Sequence, residues 1–467
     1  MSYLSPFSTR YGSREMRALW SETAKRRAWR RVWVSVAEAQ AAAGLVTAGQ
    51  VDELREHTQD INLERASEIE AEIGHDLMAE LRTFAEQCPS GGGVLHWGLT
   101  SADVQDNAEV VRQKAGLSIL LERMRPILLL FADRIDETHS EPLMGFTHLQ
   151  PAEPTTLGYR LSIYAQELHE HFDALARMHG RLRGKGVRGA VGTSAPLLEM
   201  LEGSEITPEM LEATVMDALG IEAHPVSTQT YPRVQDYTLL SLLAGLGASL
   251  HKFALDLRLM QSPGFGGAQE PFESSQVGSS AMPFKRNPVL AEKICSLARL
   301  VSAHAAVAWS DAANSALERT LDDSANRRTI LPESFLAVDE MLLATEHILH
   351  DLRHESVPAQ DPLELFGPFS AIERVLTAAV KAGADRQAMH ERLREHSMRA
   401  WEQIQAGQPN PLVDALSQDT FILGFLQPGR IQEMMHAESY VGLAPQRARE
   451  TAARLRARFG DSAGDSS

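Results

Sequence analysis

The chain contains very few cysteines. Among its 467 residues only Cys88 and Cys295 carry thiols. Two cysteines cannot form a disulfide framework or a cysteine-based zinc site, so we expect neither, and a reduced cytoplasmic protein is the simplest interpretation. The N-terminus also lacks a basic segment followed by an apolar stretch, so a secretory signal is not predicted.

Positive charge is scarce as well. Lys and Arg total 45 against 62 Asp and Glu, which gives a formal net charge of −17. This balance argues against a general affinity for nucleic acids or anionic membranes, although it permits a local basic pocket for a small anion. The longest apolar run, residues 238–250, is too short to cross a bilayer. We therefore predict neither a nucleic-acid partner nor a membrane span.

Alternating strand patterns are nearly absent, and proline is missing from residues 7–88, 155–195 and 289–331. Those segments are rich in Ala, Leu, Glu and Arg, with apolar residues three and four positions apart, as in an amphipathic helix. We predict an almost all-α protein whose long helices form a bundle.

Three regions are predicted. An N-terminal helical domain covers residues 1–105, and a central helical-bundle domain covers 106–355 and contains a long loop at 262–288. A cluster of prolines after residue 355 then marks the start of a C-terminal helical domain, 356–467. Its last residues, GDSAGDSS, are expected to form a disordered tail.

Two motifs receive structural interpretations. The string GKGVRG (184–189) matches G-x-G-x-x-G but follows a helical run rather than a strand, so a flexible loop is favoured over a dinucleotide site. His347, His350 and His354 share one helix face. A metal site there is conceivable, but a solvated polar face is the favoured interpretation, and no metal is predicted.

The string DDSANRR (322–328) leaves two interpretations open. Its carboxylates could hold a metal, or Asp323 or Ser324 could cap an ordinary helix. Nearby arginines at 319, 327 and 328 would suit a phosphate or carboxylate at a helix start. Composition alone does not decide between a binding role and a structural one.

Two histidines stand in segments of interest. His148 lies in FTHLQPAEPTTLGYR (146–160), predicted as a proline-punctuated loop before a helix that Thr155 or Thr156 could cap. His75 follows a glycine in EIGHDLMAEL. A single histidine is usually just exposed, so neither position by itself indicates catalysis.

The string GSSAMPFKRNP (278–288) is the most informative stretch. Asn287 and Pro288 suit the cap and first residue of a helix, whose N-terminus favours an anion, and Lys285 and Arg286 add positive charge. Because residues 262–278 are rich in Gly, Ser and Pro, we expect a long, mobile loop that can close over an anionic substrate. Glu292 lies one turn into the helix and could orient a histidine.

This loop resembles the signature loop of the fumarase/aspartase superfamily. THLQPAEPTT and HWGLTSADVQDN are similar to that superfamily's histidine-bearing and Thr-Ser segments. SPFSTRYGSREM, GHDLMAEL, STQTYPR and ERTLDDSANRR resemble the branch that cleaves adenylosuccinate. Alternatives are other members (argininosuccinate lyase, class II fumarase, aspartase or a cycloisomerase), a catalytically silent structural protein on the same scaffold, or an acidic helical scaffold for partners.

The resemblance implies an all-α, three-domain homotetramer whose central domains form a shared 20-helix-type core, with each active site built from three subunits. It implies a carbon–nitrogen lyase of purine biosynthesis. The enzyme would eliminate fumarate from adenylosuccinate to give AMP, and from succinyl-aminoimidazole carboxamide ribotide to give its carboxamide product. No metal or organic cofactor is implied.

The resemblance also implies residue roles. Ser279 matches the general base, His148 the acid for the leaving amine and Glu292 its orienting partner, while Lys285 and Asn287 match groups that stabilise the developing carbanion. The matched substrate-binding positions are Thr100, Ser101 and Gln229 for the succinyl group, Arg10, Tyr11, His75, Asp76, Arg319, Ser324 and Arg328 for the nucleotide and phosphate, and additionally Ser280, Met282 and Lys293.

Two positions depart from the family pattern. Gly74 stands before the His-Asp pair where arginine is usual, and Lys293 stands where arginine is frequent. Lysine keeps the charge but loses the bidentate fork, and glycine loses the contact altogether.

Overall fold

A computed structural model describes residues 3–272, 282, 285–354 and 361–460. The predicted all-α class is confirmed, since nearly every long element among these residues is a helix. The proline-free segments form long helices, as their periodicity predicts. The helices are α1 Arg14–Leu19, α2 Glu22–Ala42, α3 Ala48–Glu56, α4 Leu63–Ile73, α5 Asp76–Gln87, α6 Ser101–Glu137, α7 Leu157–Arg181, α8 Ala195–Met200, α9 Pro208–Leu219, α10 Val234–Met260, α11 Val289–Asn314, α12 Asp322–His350, α13 Pro362–Lys381, α14 Arg386–Gln405, α15 Leu412–Ser417, α16 Thr420–Leu423, α17 Pro428–Met435 and α18 Ala444–Phe459.

The prediction of a loop at residues 146–156 is wrong. Strands β1 (Pro142–Thr147) and β2 (Gln150–Thr156) form an antiparallel hairpin there, with a register irregularity between Met144 and Phe146. A two-stranded ribbon has only edge strands, so it tolerates the prolines that argued against a sheet. A second short pair, β3 (Arg183–Gly184) and β4 (Glu222–Ala223), is parallel.

The chain divides into two compact units. Unit 1 comprises residues 1–124, 170–248 and 296–343, and unit 2 comprises 125–169, 249–295 and 344–467. The predicted domain boundaries at 105 and 355 are not tested by this division and stay predictions. The first residues after 355 and the predicted tail, 461–467, lie outside the described residues.

Unit 1 is built around the amphipathic α2. Ser21 caps α2 by accepting the N–H of Ala24, and the helix then buries Trp29, Trp33 and Val36. The indole N–H of Trp33 donates to His96 Nδ1 at 3.1 Å. Burial lowers the pKa of His96, in keeping with a neutral ring that accepts this bond. Complete burial of each such aromatic side chain contributes about 1.5–3 kcal/mol.

Unit 2 contains a separate apolar cluster at its C-terminal end. There α13, α14, α15 and α17 pack small and branched side chains together, including Ala371, Val375, Met389 and Ile431, all fully buried. Close helix approach is required at Gly367 of α13, because a Cβ there would collide with Ala437.

Helix α10 is the one described helix that is long and apolar enough to cross a membrane by length and composition. Several of its apolar residues are buried within the protein, among them Leu239, Leu243, Leu246 and Leu257. The core helix of a soluble protein can have the same length and apolar composition, so these two properties of α10 are weak evidence for a membrane span.

Candidate active site

His148 lies at the tip of the β1–β2 hairpin in unit 2. His148 and Leu149 form the two-residue turn, with φ values of +54° and +58°. Such turns favour Asn or Gly, and holding other residues in the left-handed region costs about 1–3 kcal/mol each. Strain of this kind is typical of functional positions. The hairpin leads directly into α7, which Thr156 caps by accepting the N–H of Tyr159 at 3.2 Å.

His148 is exposed and makes no hydrogen bond or ion pair with another described residue of the chain. The predicted partner, Glu292, lies in the first turn of α11 and instead faces Arg258, with 3.7 Å between Oε1 and Nη2. A single chain therefore does not bring the predicted acid and its orienting carboxylate together.

The signature loop is described in part. Ser279 and Ser280 lie outside the described residues. Met282 and Lys285 are exposed, and the Lys285 N–H donates to the Met282 carbonyl at 3.0 Å. Asn287 and Lys293 are half-buried.

Helix α11 begins at Val289, one residue later than predicted. The N–H groups of Leu290 and Ala291 in its first turn donate to the carboxylate of Glu270. These donors are therefore satisfied within the chain rather than open to an external anion.

Unit 1 gathers several of the predicted nucleotide-binding residues. His75 caps α5, because its Nδ1 accepts the N–H of Met78 at 3.4 Å. Nδ1 is thus an acceptor, which leaves the proton of the neutral ring on Nε2, 3.4 Å from Ser101 Oγ. Asp76 is buried and forms an ion pair with Arg328 at 2.8 Å, although the Arg328 side chain remains half exposed.

A cavity of about 160 Å³ in unit 1 adjoins this cluster. Cationic, hydroxyl and acidic groups line it together with two tryptophans, an arrangement that suits a polar anionic molecule with an aromatic part. The predicted site residues in its wall are Asp76, Arg319, Ser324 and Arg328, and the tryptophans are Trp20 and Trp29.

The start of α12 differs from both predicted caps. The helix begins at Asp322, so Asp323 and Ser324 lie in its first turn rather than at the cap. The Asp323 carboxylate is engaged by arginines, with Arg233 Nε at 2.6 Å and Arg319 Nη1 at 3.0 Å. Although burial acts in the opposite direction, these arginines lower the pKa of Asp323, which therefore remains a carboxylate.

Arg233 anchors a buried charge network whose members Asp106, Arg233 and Arg327 also line the cavity. It also donates two bonds to Asp106, at 3.0 and 3.1 Å. Arg327 donates to Asp236 at 2.8 Å and to the Tyr231 hydroxyl at 2.7 Å. Burial is the largest single effect and opposes the charge on Arg327, but Asp236, Tyr231, Asp106 and Glu109 together outweigh it and raise the pKa of the guanidinium. These charges are paired within the network, and Arg319 is likewise paired with Asp323, whereas the Arg328 side chain at the cavity is half exposed.

The GKGVRG string is a fixed structural element, so the expectation of a flexible loop is wrong. Lys185 is completely buried, and its Nζ donates to Asp103 at 2.5 Å and to the Gly189 carbonyl at 2.8 Å. At Gly184 a Cβ would collide with the Asn107 side chain. Asp103 also accepts the N–H of Thr100 at 2.8 Å, so the same carboxylate fixes a predicted succinyl-binding residue.

Three other predicted residues are less closely linked to the cluster. Arg10 is exposed, with its guanidinium 5.9 Å from the Tyr11 ring, and no hydrogen bond or ion pair among the described residues joins either to His75 or Arg328. The backbone N–H of Gln229 donates to the Glu318 carbonyl at 3.3 Å, next to Arg319 in sequence.

Gly74 has a local structural reason. It ends α4 in the left-handed conformation with φ of +67°, where glycine is strongly favoured. A Cβ added at this exposed position would meet open space, so backbone conformation rather than crowding favours glycine here.

The prediction that the three histidines share one helix face is wrong, because α12 ends at His350 and His354 lies beyond it. His354 pairs with Glu141 at 3.0 Å and Glu137 at 3.5 Å, while His350 is exposed beside Asp351. Across the described ranges no group of three or more His, Cys, Asp and Glu residues is arranged to hold a metal ion.

Sequence reasoning missed the residues that support the site. Asp103 and Lys185 lie inside the strings HWGLTSADVQDN and GKGVRG, but neither string assigned them a role, and Glu270 lies outside the strings that carry the resemblance. Tyr231 and Arg233 fall inside STQTYPR, a string whose resemblance assigned a role only to Gln229. The sequence signal that could have indicated Tyr231 and Arg233 was their position inside this matched string.

Two family models match the chain. The lyase family model matches residues 7–302, and the model described as adenylosuccinate lyase C-terminus matches residues 368–451. The first match contains the hairpin, the signature loop and most of the cavity wall. The second lies in the part of unit 2 that holds the C-terminal apolar cluster.

Relatives that align with most of the chain are adenylosuccinate lyases as well. The chain is 35% identical to adenylosuccinate lyase from Saccharomyces cerevisiae, over 95% of the chain and 93% of the relative. It is 37% identical to the Schistosoma mansoni enzyme over 90% and 88%, and 33% identical to the Archaeoglobus fulgidus enzyme over 95% and 96%.

Solved structures support the fold. The 3-carboxy-cis,cis-muconate lactonizing enzyme from Pseudomonas putida matches with a TM-score of 0.85 at 21% identity, over 97% of this chain and 99% of that one. A fumarate lyase from Mesorhizobium sp. BNC1 matches with a TM-score of 0.82 at 21% identity, over 97% and 100%. At such identity the likeness establishes the fold alone.

Proposed function

Because the chain belongs to the adenylosuccinate lyase family, we propose that the unit 1 cavity holds the nucleotide end of adenylosuccinate. The protein is thus a lyase acting on a small molecule. The observation that carries the proposal is the cavity wall, where Arg319, Ser324 and Arg328 present two cations and a hydroxyl. Such groups suit a phosphate.

The acid and base roles follow from the chemistry of β-elimination. A base removes the carbon-bound proton, an acid protonates the departing amine, and cations stabilise the charge that develops beside the carboxylate. We assign these roles to Ser279, His148 and the pair Lys285 and Asn287. Exposure and backbone strain at His148 support its assignment, since an imidazole with no partner among the described residues is accessible to substrate.

The succinyl carboxylates are assigned to the start of α6. Thr100 and Ser101 stand there beside the His75 ring, and the Asp103 carboxylate holds the Thr100 backbone. Oriented hydroxyl and imidazole donors can bind a carboxylate without a full cation. Gln229 supplies an amide in the same role.

The assembly is proposed to be a homotetramer in which three subunits build each site. Support comes from the isolated chain, where Glu292 contacts Arg258 and His148 has no partner among the described residues. In the assembly Glu292 would orient a His148 from another subunit. We further propose a cytoplasmic enzyme that needs no cofactor and also cleaves succinyl-aminoimidazole carboxamide ribotide.

Complementation between two inactive variants tests this proposal. His148→Ala and Ser279→Ala are purified separately, mixed, and allowed to exchange subunits. If the two side chains of a site come from different subunits, random mixing in equal amounts gives about a quarter of the wild-type activity. Each variant carried alone through the same treatment is the control, and light scattering confirms the tetramer. Absence of recovery, with exchange demonstrated by labelled subunits, would refute the shared site.

A further inference from the structure

The carboxylate of Glu270 lies at the N-terminus of α11, where the sequence predicts an anionic substrate. It lies in unit 2 at the start of the signature loop and is 4% exposed. One carboxylate oxygen accepts the N–H of Leu290 at 3.2 Å, and the other accepts the N–H of Ala291 at 3.0 Å. These donors belong to the second and third residues of α11, whose 26 residues align their dipoles toward this end.

Gln261 holds the two ends of the loop to each other. Its Oε1 accepts the N–H of Glu270 at 3.1 Å, and its Nε2 donates to the carbonyl of Arg286 at 3.2 Å. A single amide side chain therefore bridges the residue that enters the loop and the residue just before Asn287.

The entering strand is fixed from a second direction. Gln269 and Arg353 exchange backbone hydrogen bonds at 2.8 and 3.1 Å, and Arg353 Nη2 donates to the Phe272 carbonyl at 2.9 Å. Glu270 thus has a hydrogen-bonded backbone on one side and the α11 N-terminus on the other. Burial raises the pKa of Glu270, and the N–H groups of Ala291 and Leu290 counter that effect by stabilising the anion.

We infer that Glu270 is a positioning residue, an internal anion that fills the N-terminus of α11 and, with Gln261, fixes the backbone from which Lys285 and Asn287 reach the substrate. The substrate carboxylate consequently meets those two side chains and not the helix dipole. The inference rests on the proposed function only for the roles of Lys285 and Asn287.

Replacement of Glu270 tests the inference. Glu270→Ala removes the anion and leaves a cavity beside two unsatisfied N–H groups. Misplacement of groups that act in the transition state lowers kcat more than it raises KM. With saturating adenylosuccinate we expect kcat to fall at least about tenfold while KM changes less than about threefold.

Acetate supplies the decisive readout. Acetate can enter the Glu270→Ala cavity and accept from both N–H groups, so kcat should recover at least about threefold in a saturable manner. Glu270→Gln fills the same space and opposes an amide N–H₂ to these donors. It should lose a similar share of kcat without recovery, and it also serves if the alanine variant fails to fold. Wild-type enzyme shows whether acetate has effects elsewhere.

Asp419 provides a matched control. It is a buried carboxylate in the same unit that accepts the N–H groups of Phe421 and Ile422 at the start of α16. Asp419→Ala should lower the melting temperature without acetate-dependent changes in kcat, which separates positioning from a general loss of stability.

The contradicting outcomes are distinct. Wild-type kcat in folded Glu270→Ala, with activity lost in Lys285→Ala, would overturn the role of Glu270 and leave the proposed function intact. Reduced kcat in Glu270→Ala without any acetate recovery would refute the internal-anion role. Wild-type kcat in both Glu270→Ala and Lys285→Ala would instead refute the assignment of the loop in the proposed function.

Discussion

The buried pair of Lys185 and Asp103 should respond asymmetrically to substitution. Asp103 accepts hydrogen bonds from the N–H groups of Thr100, Arg188 and Gly189 in addition to the Lys185 ammonium. Lys185→Met therefore leaves a carboxylate that is still hydrogen-bonded, at a cost of about 1–3 kcal/mol. Asp103→Asn leaves a buried ammonium without its counter-ion, which costs about 3–5 kcal/mol.

The loss of unfolding free energy caused by Asp103→Asn has an upper limit, and this limit depends on pH. In Asp103→Asn the ammonium can lose its proton, and keeping a lysine neutral at pH 7 costs about 4.6 kcal/mol, from the difference to an ordinary pKa of about 10.4. Burial already lowers the pKa of Lys185, while Asp103 opposes that change. In the variant the folded state then binds fewer protons than the unfolded state. Its stability should rise with pH, by up to about 1.4 kcal/mol per unit, until the pH reaches the unfolded pKa.

Urea unfolding at a fixed protein concentration, followed by circular dichroism between pH 7 and 9, measures these differences. We expect Asp103→Asn to be the less stable variant at pH 7 by about 2 kcal/mol and the gap to narrow toward pH 9. The double variant, with both Asp103→Asn and Lys185→Met, should lose less free energy of unfolding than the sum of the losses in the two single variants. Equal destabilisation by both single variants, or a gap that widens with pH, would refute the reasoning.

Two further predictions concern single groups. Burial, with the nearby Glu53 carboxylate, raises the pKa of the Cys88 thiol to about 11, and Cys295 is also buried. Native protein at pH 8 should therefore not react with Ellman's reagent, whereas protein unfolded in urea should show both thiols. A rapidly reacting thiol in the native state would contradict this prediction. Arg328→Lys keeps the charge but loses the planar fork, so KM for adenylosuccinate should rise about tenfold with kcat changed less than about threefold in steady-state assays. A fall in kcat at unchanged KM would place Arg328 in the chemical step instead.

The sequence predicted those features that depend on local spacing. Proline-free amphipathic segments form α2, α7 and α11, and Thr156, one of the two predicted caps, caps α7. The β1–β2 hairpin was missed because its turn, His148–Leu149, uses residues that rarely adopt positive φ. Local propensity could not anticipate a turn held by its surroundings.

Contacts between residues that are far apart in the sequence could not be predicted from local residue spacing. Lys185 meets Asp103 across 82 positions, and Glu270 caps α11 from about 20 residues away. In both contacts the local sequence does not indicate which distant residue the carboxylate meets. The candidate site residues were found through resemblance of strings, and the structure joined only some of them within one chain, among them His75 with Ser101.

The most direct test of the account is the ultraviolet change when purified protein meets adenylosuccinate, with argininosuccinate and aspartate assayed in parallel and the His148→Ala variant beside wild type. We expect wild-type protein to release AMP and fumarate from adenylosuccinate alone, and the variant, still folded and assembled, to be slower by at least about a hundredfold. Wild-type turnover in His148→Ala, or turnover of argininosuccinate with none of adenylosuccinate, would contradict it.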